Sequence, residues 1–140
     1  MKVKTADLLA GIIRDHVNFY RFNSKDLKIV LTKNFVELRK VAKQAATDQA
    51  ELVKKFQEDW KDEIAAVQTL RDKQLPVEGH NEYLKAEAEG VETIQALFDS
   101  DVQISLIPVN MEEFVSELDG DDITPEQVAI LAENGFFAQE

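Results

Sequence analysis

A chain of 140 residues, 44% hydrophobic and 31% charged, fits one domain with a real core over residues 1–140, and not two. The absence of cysteine excludes a disulfide framework and a thiolate metal site. A net charge of −11 argues against direct nucleic-acid binding, which calls for a basic patch, and no window nears the roughly twenty apolar residues of a membrane span.

Residues 1–4 alternate, with Val3 between two lysines, and read as a short edge strand. Thr5 is placed as an N-cap, and Asp7 suits the helix dipole. Leu8, Leu9, Ile12, Ile13, His16, Val17 and Tyr20 recur at helical spacing, so an amphipathic helix is expected over residues 6–20. Asp7 and Asp15 interrupt these apolar residues and no small-residue cleavage site follows, so a cytoplasmic rather than a secreted protein is expected.

Ser24 can cap the next stretch, residues 25–74, which contains neither Gly nor Pro. Within it Leu27, Leu31, Phe35, Leu38, Ala42, Ala45, Gln49, Leu52, Phe56, Trp60, Ile64, Val67 and Arg71 follow one another at a mean spacing of 3.67 residues. That is close to the α-helical repeat, so one uninterrupted central helix of about 75 Å is expected. Glu51 with Lys55, Lys54 with Glu58, and Lys55 with Asp59 support it weakly along a wet face. Between Arg39 and Glu51 the large apolar side chains give way to Val41, Ala42, Ala45, Ala46 and Ala50, a slim waist that another backbone can approach.

Pro76 and Gly79 stop the long helix, and Asn81 can cap the next. Leu84, Ala88, Val91, Ile94 and Phe98 form one face over residues 82–98, the return arm of a helical hairpin. Val102, Ile104 and Leu106 alternate with Gln103 and Ser105, which reads as a strand near 102–107 paired with the N-terminal one. Asn110 with Glu113, and Thr124 with Gln127 after which Pro125 takes the first helical position, have capping-box spacing. Two short helices are expected over 111–118 and 125–133, ended by Gly120 and Gly135.

The expected fold is therefore mainly α: a long central helix with flanking antiparallel helices, a small two-stranded sheet and two short C-terminal helices. The first helix covers the long one only to about residue 40 and the return arm only back to about residue 57, leaving roughly 25 Å at the waist. If the chain does not cover this gap, another subunit does. Val41, Ala45, Gln49 and Leu52 are thus candidate partner-binding residues.

Catalytic chemistry is not expected. There is no Gly-rich phosphate loop, no Ser nucleophile elbow, no HExxH and no Cys/His cluster, so no cofactor, metal or catalytic residue is assigned. His16 lies on the apolar stripe of the first helix and reads as a partly buried structural histidine; His80 reads as a solvated loop residue. Residues 119–123 resemble a fragment of a calcium loop, but Ser116, Leu118, Gly120 and Gln127 fall where oxygen ligands belong.

Charge is segregated: residues 1–73 hold 15 basic against 11 acidic side chains, residues 74–140 one against 16. Either the acidic half folds over the basic flank of its own long helix, or one subunit's acidic half meets the next subunit's basic half. From Glu112 to Glu126 there are seven acids and no base. This is either a like-charged solvated surface or a patch, including Glu112, Glu113, Asp119, Asp121 and Asp122, that occupies a partner's nucleic-acid groove. Trp60 reads as core. Phe136 and Phe137, adjacent aromatics after a helix stop, either dock on the chain's own core or on a partner.

The opening MKVKTADLL, the long central helix, and the closing VQISLIPVNMEEF and ITPEQVAIL together resemble a group of small proteins encoded by tailed phages and prophages. The resemblance implies a product of the host cytoplasm that enters the virion or acts as an assembly or host-directed accessory. Residues and resemblance together lead to the expectation of a non-enzymatic structural or interaction protein. Its long helix would serve self-association, as a homo-oligomer, or assembly with a larger complex, without membrane or direct nucleic-acid contact. The alternative is an acidic inhibitor of a host nucleic-acid-binding enzyme.

Overall fold

A computed structural model of the chain describes residues 1–118 and 123–139. Among them six α-helices follow one another: α1 (Val3–His16), α2 (Lys25–Asp59), α3 (Lys61–Asp72), α4 (Asn81–Asp99), α5 (Met111–Glu117) and α6 (Pro125–Glu133), with a 3₁₀ turn at Phe19–Arg21. The chain divides into two compact units, Met1–Gln44 with Ser100–Glu140, and Ala45–Asp99, a division that the single-domain expectation does not draw.

In the first unit α1 begins earlier than its sequence suggests and ends earlier, at His16 rather than Tyr20. Thr5 is not its cap. Lys2 holds the N-cap position with no side-chain bond, and the first amide, Val3 N–H, donates instead to the Ser100 carbonyl at 2.9 Å. A backbone acceptor from a distant segment thus replaces the missing cap. The helix buries Ala6, Leu9, Ile12 and Ile13 as one face.

The start of α2 is capped as the sequence suggests, Leu27 N–H donating to Ser24 Oγ at 3.2 Å. The Glu117 carboxylate of α5 adds to this, accepting from the backbone amides of Asn23 and Ser24. An anion at a helix N-terminus meets the positive end of the dipole. Leu27, Leu31 and Leu38 enter the same core as α1, Phe22 and Phe114, and Val41 packs against that core partly buried.

The closing segment supplies the rest of this core. Asn110 Oδ1 accepts from Glu113 N–H, and Thr124 and Gln127 exchange both bonds of a capping box. At the end of α6 Gly135 takes φ +75°, and the Phe136 amide reaches back to the Leu131 carbonyl at 3.1 Å. This left-handed cap reverses the chain so that Phe136 falls beside Leu131, and both are fully buried. The aromatic pair docks on the chain's own core: Phe114 lies 5.7 Å from Phe136 and 5.4 Å from Phe137 between ring centroids.

The expected two-stranded sheet does not form. Among the described residues there are isolated bridges only, Lys2 with Asp101 antiparallel and Val109 with Phe137 parallel. Residues 1–4 pass into α1 after one bridge, so no edge remains for the segment over 102–107. Its backbone is met by a side chain instead: buried Asn34 of α2 donates to the Ile107 carbonyl at 2.9 Å and accepts from the Ile107 amide at 2.8 Å. One amide side chain thus does locally what a neighbouring strand would do.

The expected uninterrupted helix over 25–74 is also corrected. It passes unbroken through Thr47 and Asp48 but ends at Asp59, and Trp60 leaves helical geometry with φ −120° and ψ 24° before α3 begins. Neither Gly nor Pro marks the site. Asp62 and Glu63 in the first turn of α3 are the local signal of a new N-terminus.

Replacing Asn34 by Ala removes two part-buried hydrogen bonds to the backbone of Ile107, which is itself exposed, and such a bond contributes about 0.5–1.5 kcal/mol net. The expected outcome for Asn34→Ala is a loss of about that size in urea denaturation, with helix content retained in far-ultraviolet circular dichroism.

Candidate functional site

The second unit is built around Tyr83, the buried residue near the start of α4. Its ring lies 5.7 Å from Phe56 and 5.9 Å from Trp60, the latter edge to face. Farther along, Asp48, Leu52 and Lys55 of α2 lie beside Thr93 and Leu97 of α4. The order of these contacts makes α4 antiparallel to the end of α2. Glu63 meets His80 and Arg71 meets Glu87, so α3 and α4 advance in the same direction. The change of direction therefore falls at Trp60, and residues 73–80 carry the chain back alongside α3 rather than forming the hairpin turn themselves. At the end of α3 Gln74 holds the left-handed position with φ +56°, and Leu75 N–H donates to the Leu70 carbonyl at 2.9 Å.

The polar contacts of this unit fasten helices to one another. Arg71 donates twice to the Glu87 carboxylate, at 3.2 and 2.9 Å, and the Tyr83 hydroxyl donates to the same carboxylate at 2.9 Å. The Arg71 hydrogen bonds hold the Glu87 carboxyl below its ordinary value, against an opposing effect of burial. Glu87 in turn raises Arg71. Burial first, then the bond to Glu87, raises Tyr83 above the ordinary phenol value. His80, expected to be a solvated loop residue, is instead half-buried, with Nδ1 hydrogen-bonded to the Glu63 carboxylate.

Above this anchored end, α2 and α4 stand apart enough to leave an open apolar groove of about 310 Å³. Phe56, Trp60 and Ile94 form its floor, and Leu52, Val53 and Val91 its walls. These walls remain 39%, 37% and 53% exposed, which is high for large aliphatic side chains on facing helices. Gly90 sits in the same groove, and a Cβ built on it meets nothing within 4 Å. The groove is open to solvent and mostly apolar, with Lys55, Asp59, Glu87 and Thr93 also along its lining.

The sequence-derived candidates separate on this structure. Leu52 belongs to the groove. Val41 packs partly buried on the core of the first unit, Ala45 is buried and Gln49 is partly buried, while Ala46 and Ala50 of the same waist are exposed. Phe136 and Phe137 are buried in their own core and offer nothing to a partner. Glu112 and Glu113 are exposed on the first turn of α5, whereas Glu117 turns inward to α2; Asp119, Asp121 and Asp122, like the calcium-loop fragment and Gly120, lie outside the described residues. Val53, Gly90 and Val91 were not picked out as a site by sequence. Their signal is weak: Val53 lies off the main stripe of α2, and Gly90 interrupts an otherwise good helix former.

Among the described residues no group of His, Asp and Glu is placed to hold a metal ion, and no described helix is long and apolar enough to cross a membrane. No protein-family model, no curated protein and no solved structure matches the chain.

Two measurements check this geometry. Because the folded Glu87 carboxyl lies below its ordinary value of 4.5, its ionisation stabilises the fold fully above that pH and ceases to do so as pH falls through the depressed folded value. The urea midpoint of the wild type should therefore exceed that of Glu87→Gln at pH 7, and the two should converge as the pH is taken below 4. Gly90→Ala adds helix propensity without a clash and should raise stability by about 1 kcal/mol in the same assay.

Proposed function

We propose that this chain is a non-catalytic interaction module that docks a helical protein surface in the groove between α2 and α4. The observation that carries the reading is the set of half-exposed aliphatic walls, Leu52, Val53 and Val91, over an aromatic floor held in place by Tyr83. Rigid aromatic and aliphatic pockets of this kind are where binding energy concentrates at protein interfaces. The Arg71–Glu87 pair supports it further, because it fastens α3 to α4, the helix that carries one of the walls. The resemblance of the opening and closing segments to phage-encoded proteins is in keeping with a role in assembly, or as an accessory, in the host cytoplasm or the virion.

The test compares wild-type and Val91→Asp baits in affinity capture from cells that express the chain. The expected outcome is that proteins held by the wild type, further copies of the chain included, are lost with the variant while its circular dichroism is unchanged. Identical captured sets would sink the reading.

A further inference from the structure

We infer that the exposed face on the first half of α2 is a docking surface for an anionic lipid bilayer, on which the helix lies flat without crossing it. The inference is independent of the α2–α4 groove and concerns residues of the first unit alone.

Successive residues of an α-helix are turned by about 100°, which fixes how residues 25–43 are arranged around the axis. One arc of about 140° collects the cations Lys25, Lys28, Lys33, Arg39, Lys40 and Lys43 together with Ile29, Thr32 and Val36. No acid falls within it; Asp26 and Glu37 lie just past one edge. Six of the chain's 16 basic side chains thus share one helix face, in a chain that holds 27 acids. Glu37 engages Lys40 at 3.3 Å, and among the described residues the other five cations have no carboxylate partner. The stripe runs about 27 Å along the axis, which suits an extended anionic surface rather than one small anion.

The layout within the face selects the kind of polyanion. Ile29 and Val36 stand near its centre line, 52% and 43% exposed, with Lys28 and Arg39 along one side and Lys33 and Lys40 along the other. Ile107, 40% exposed, joins them: Asn34 holds its backbone against α2, and it lines one shallow depression with Val36 and Lys33. The phosphates of a nucleic acid have nothing to offer three aliphatic side chains. A bilayer answers both features, because acyl chains take up the aliphatic centre while the Lys and Arg stems reach outward to lipid phosphates on either side.

The chain's net charge of −11 does not cancel this face. Leu27, Leu31 and Leu38 point to the opposite side of α2, where α1, α5 and α6 pack with the acids they carry. Helices packed there lie about 8–10 Å behind the α2 axis. At 0.1 M salt the Debye length is about 10 Å, so an approaching surface meets mainly the cations. The expectation of no membrane contact rests on the lack of a spanning segment, and a helix lying in the interface needs none.

Co-sedimentation of the full chain with large vesicles tests this, comparing phosphatidylcholine alone with an equal mixture of phosphatidylcholine and phosphatidylglycerol. At 0.1 M salt the chain should pellet with the anionic vesicles and stay in solution with the neutral ones. Raising the salt to 1 M, where the Debye length is about 3 Å, should release it. Lys33→Gln with Arg39→Gln should weaken partitioning about 25-fold, about fivefold for each cation withdrawn from the anionic surface. Ile29→Gln with Val36→Gln keeps every charge and should weaken it about tenfold through the loss of inserted apolar area. All four side chains are exposed, so the circular dichroism of both variants should match the wild type.

A wild type that does not pellet with anionic vesicles at 0.1 M salt overturns the inference, and so does equal pelleting with neutral ones. Binding that the Ile29→Gln and Val36→Gln pair leaves untouched overturns it as well, because a contact made by charge alone requires no bilayer. Double-stranded DNA added at the same phosphate concentration is the last check. If it strips the chain from the vesicles, nucleic acid is the preferred polyanion and the lipid assignment falls; a chain that stays on the vesicles bears the assignment out.

Discussion

The apolar stripe of α2 must leave water along 35 residues, and no other described helix is long enough to cover it. Two sets of elements divide the work. Leu27, Leu31 and Leu38 are covered by α1, α5, α6 and the closing aromatic pair in one core. Phe56 and Trp60 are covered by Tyr83 of α4. Burial of about 25 cal/mol per Å² of apolar surface drives both packings. The second is incomplete, and the uncovered part is where the exposed Leu52, Val53 and Val91 gather.

Polar groups decide where each covering element sits. Asn34 holds the segment around Ile107 against α2 with two bonds, and Glu117 ties the end of α5 to the amides that precede α2. The bridge between Lys2 and Asp101 holds the start of the chain to the segment around Asp101 within the first unit, with Val102 N–H donating to the Met1 carbonyl at 2.8 Å. Apolar packing is non-directional, so contacts of this kind select one arrangement among several that bury similar area.

Charge follows a related division. The first unit combines the basic residues 1–44 with the acidic closing segment, so much of the segregation along the chain is brought together within one compact unit. In the second unit the pairing is specific, with Glu87 accepting from both Arg71 and Tyr83. A carboxylate partnered by a guanidinium and a phenol holds three side chains at one place and fastens α3 to α4.

What was legible in the sequence was local. Ser24, Asn110, Thr124 with Gln127, and Gly135 mark helix ends through bonds made within four or five residues, and each does so in the folded chain. The 3.67-residue spacing likewise identifies a long helix whatever surrounds it. What was not legible depends on partners far along the chain. The segment over 102–107 has a strand pattern but meets the side chain of Asn34, and α1 begins at Val3 because the Ser100 carbonyl accepts its first amide. The stripe runs through Trp60 without a gap, so nothing periodic announces that α2 ends there, where the indole meets Tyr83. The sequence alone determined that these helices exist and where Ser24, Asn110, Thr124 and Gly135 cap them, since those bonds are made by neighbours a turn away. Tertiary structure decided the break, the replacement of a sheet by an amide, and the open groove, because each depends on which distant surfaces find one another when the stripe is buried.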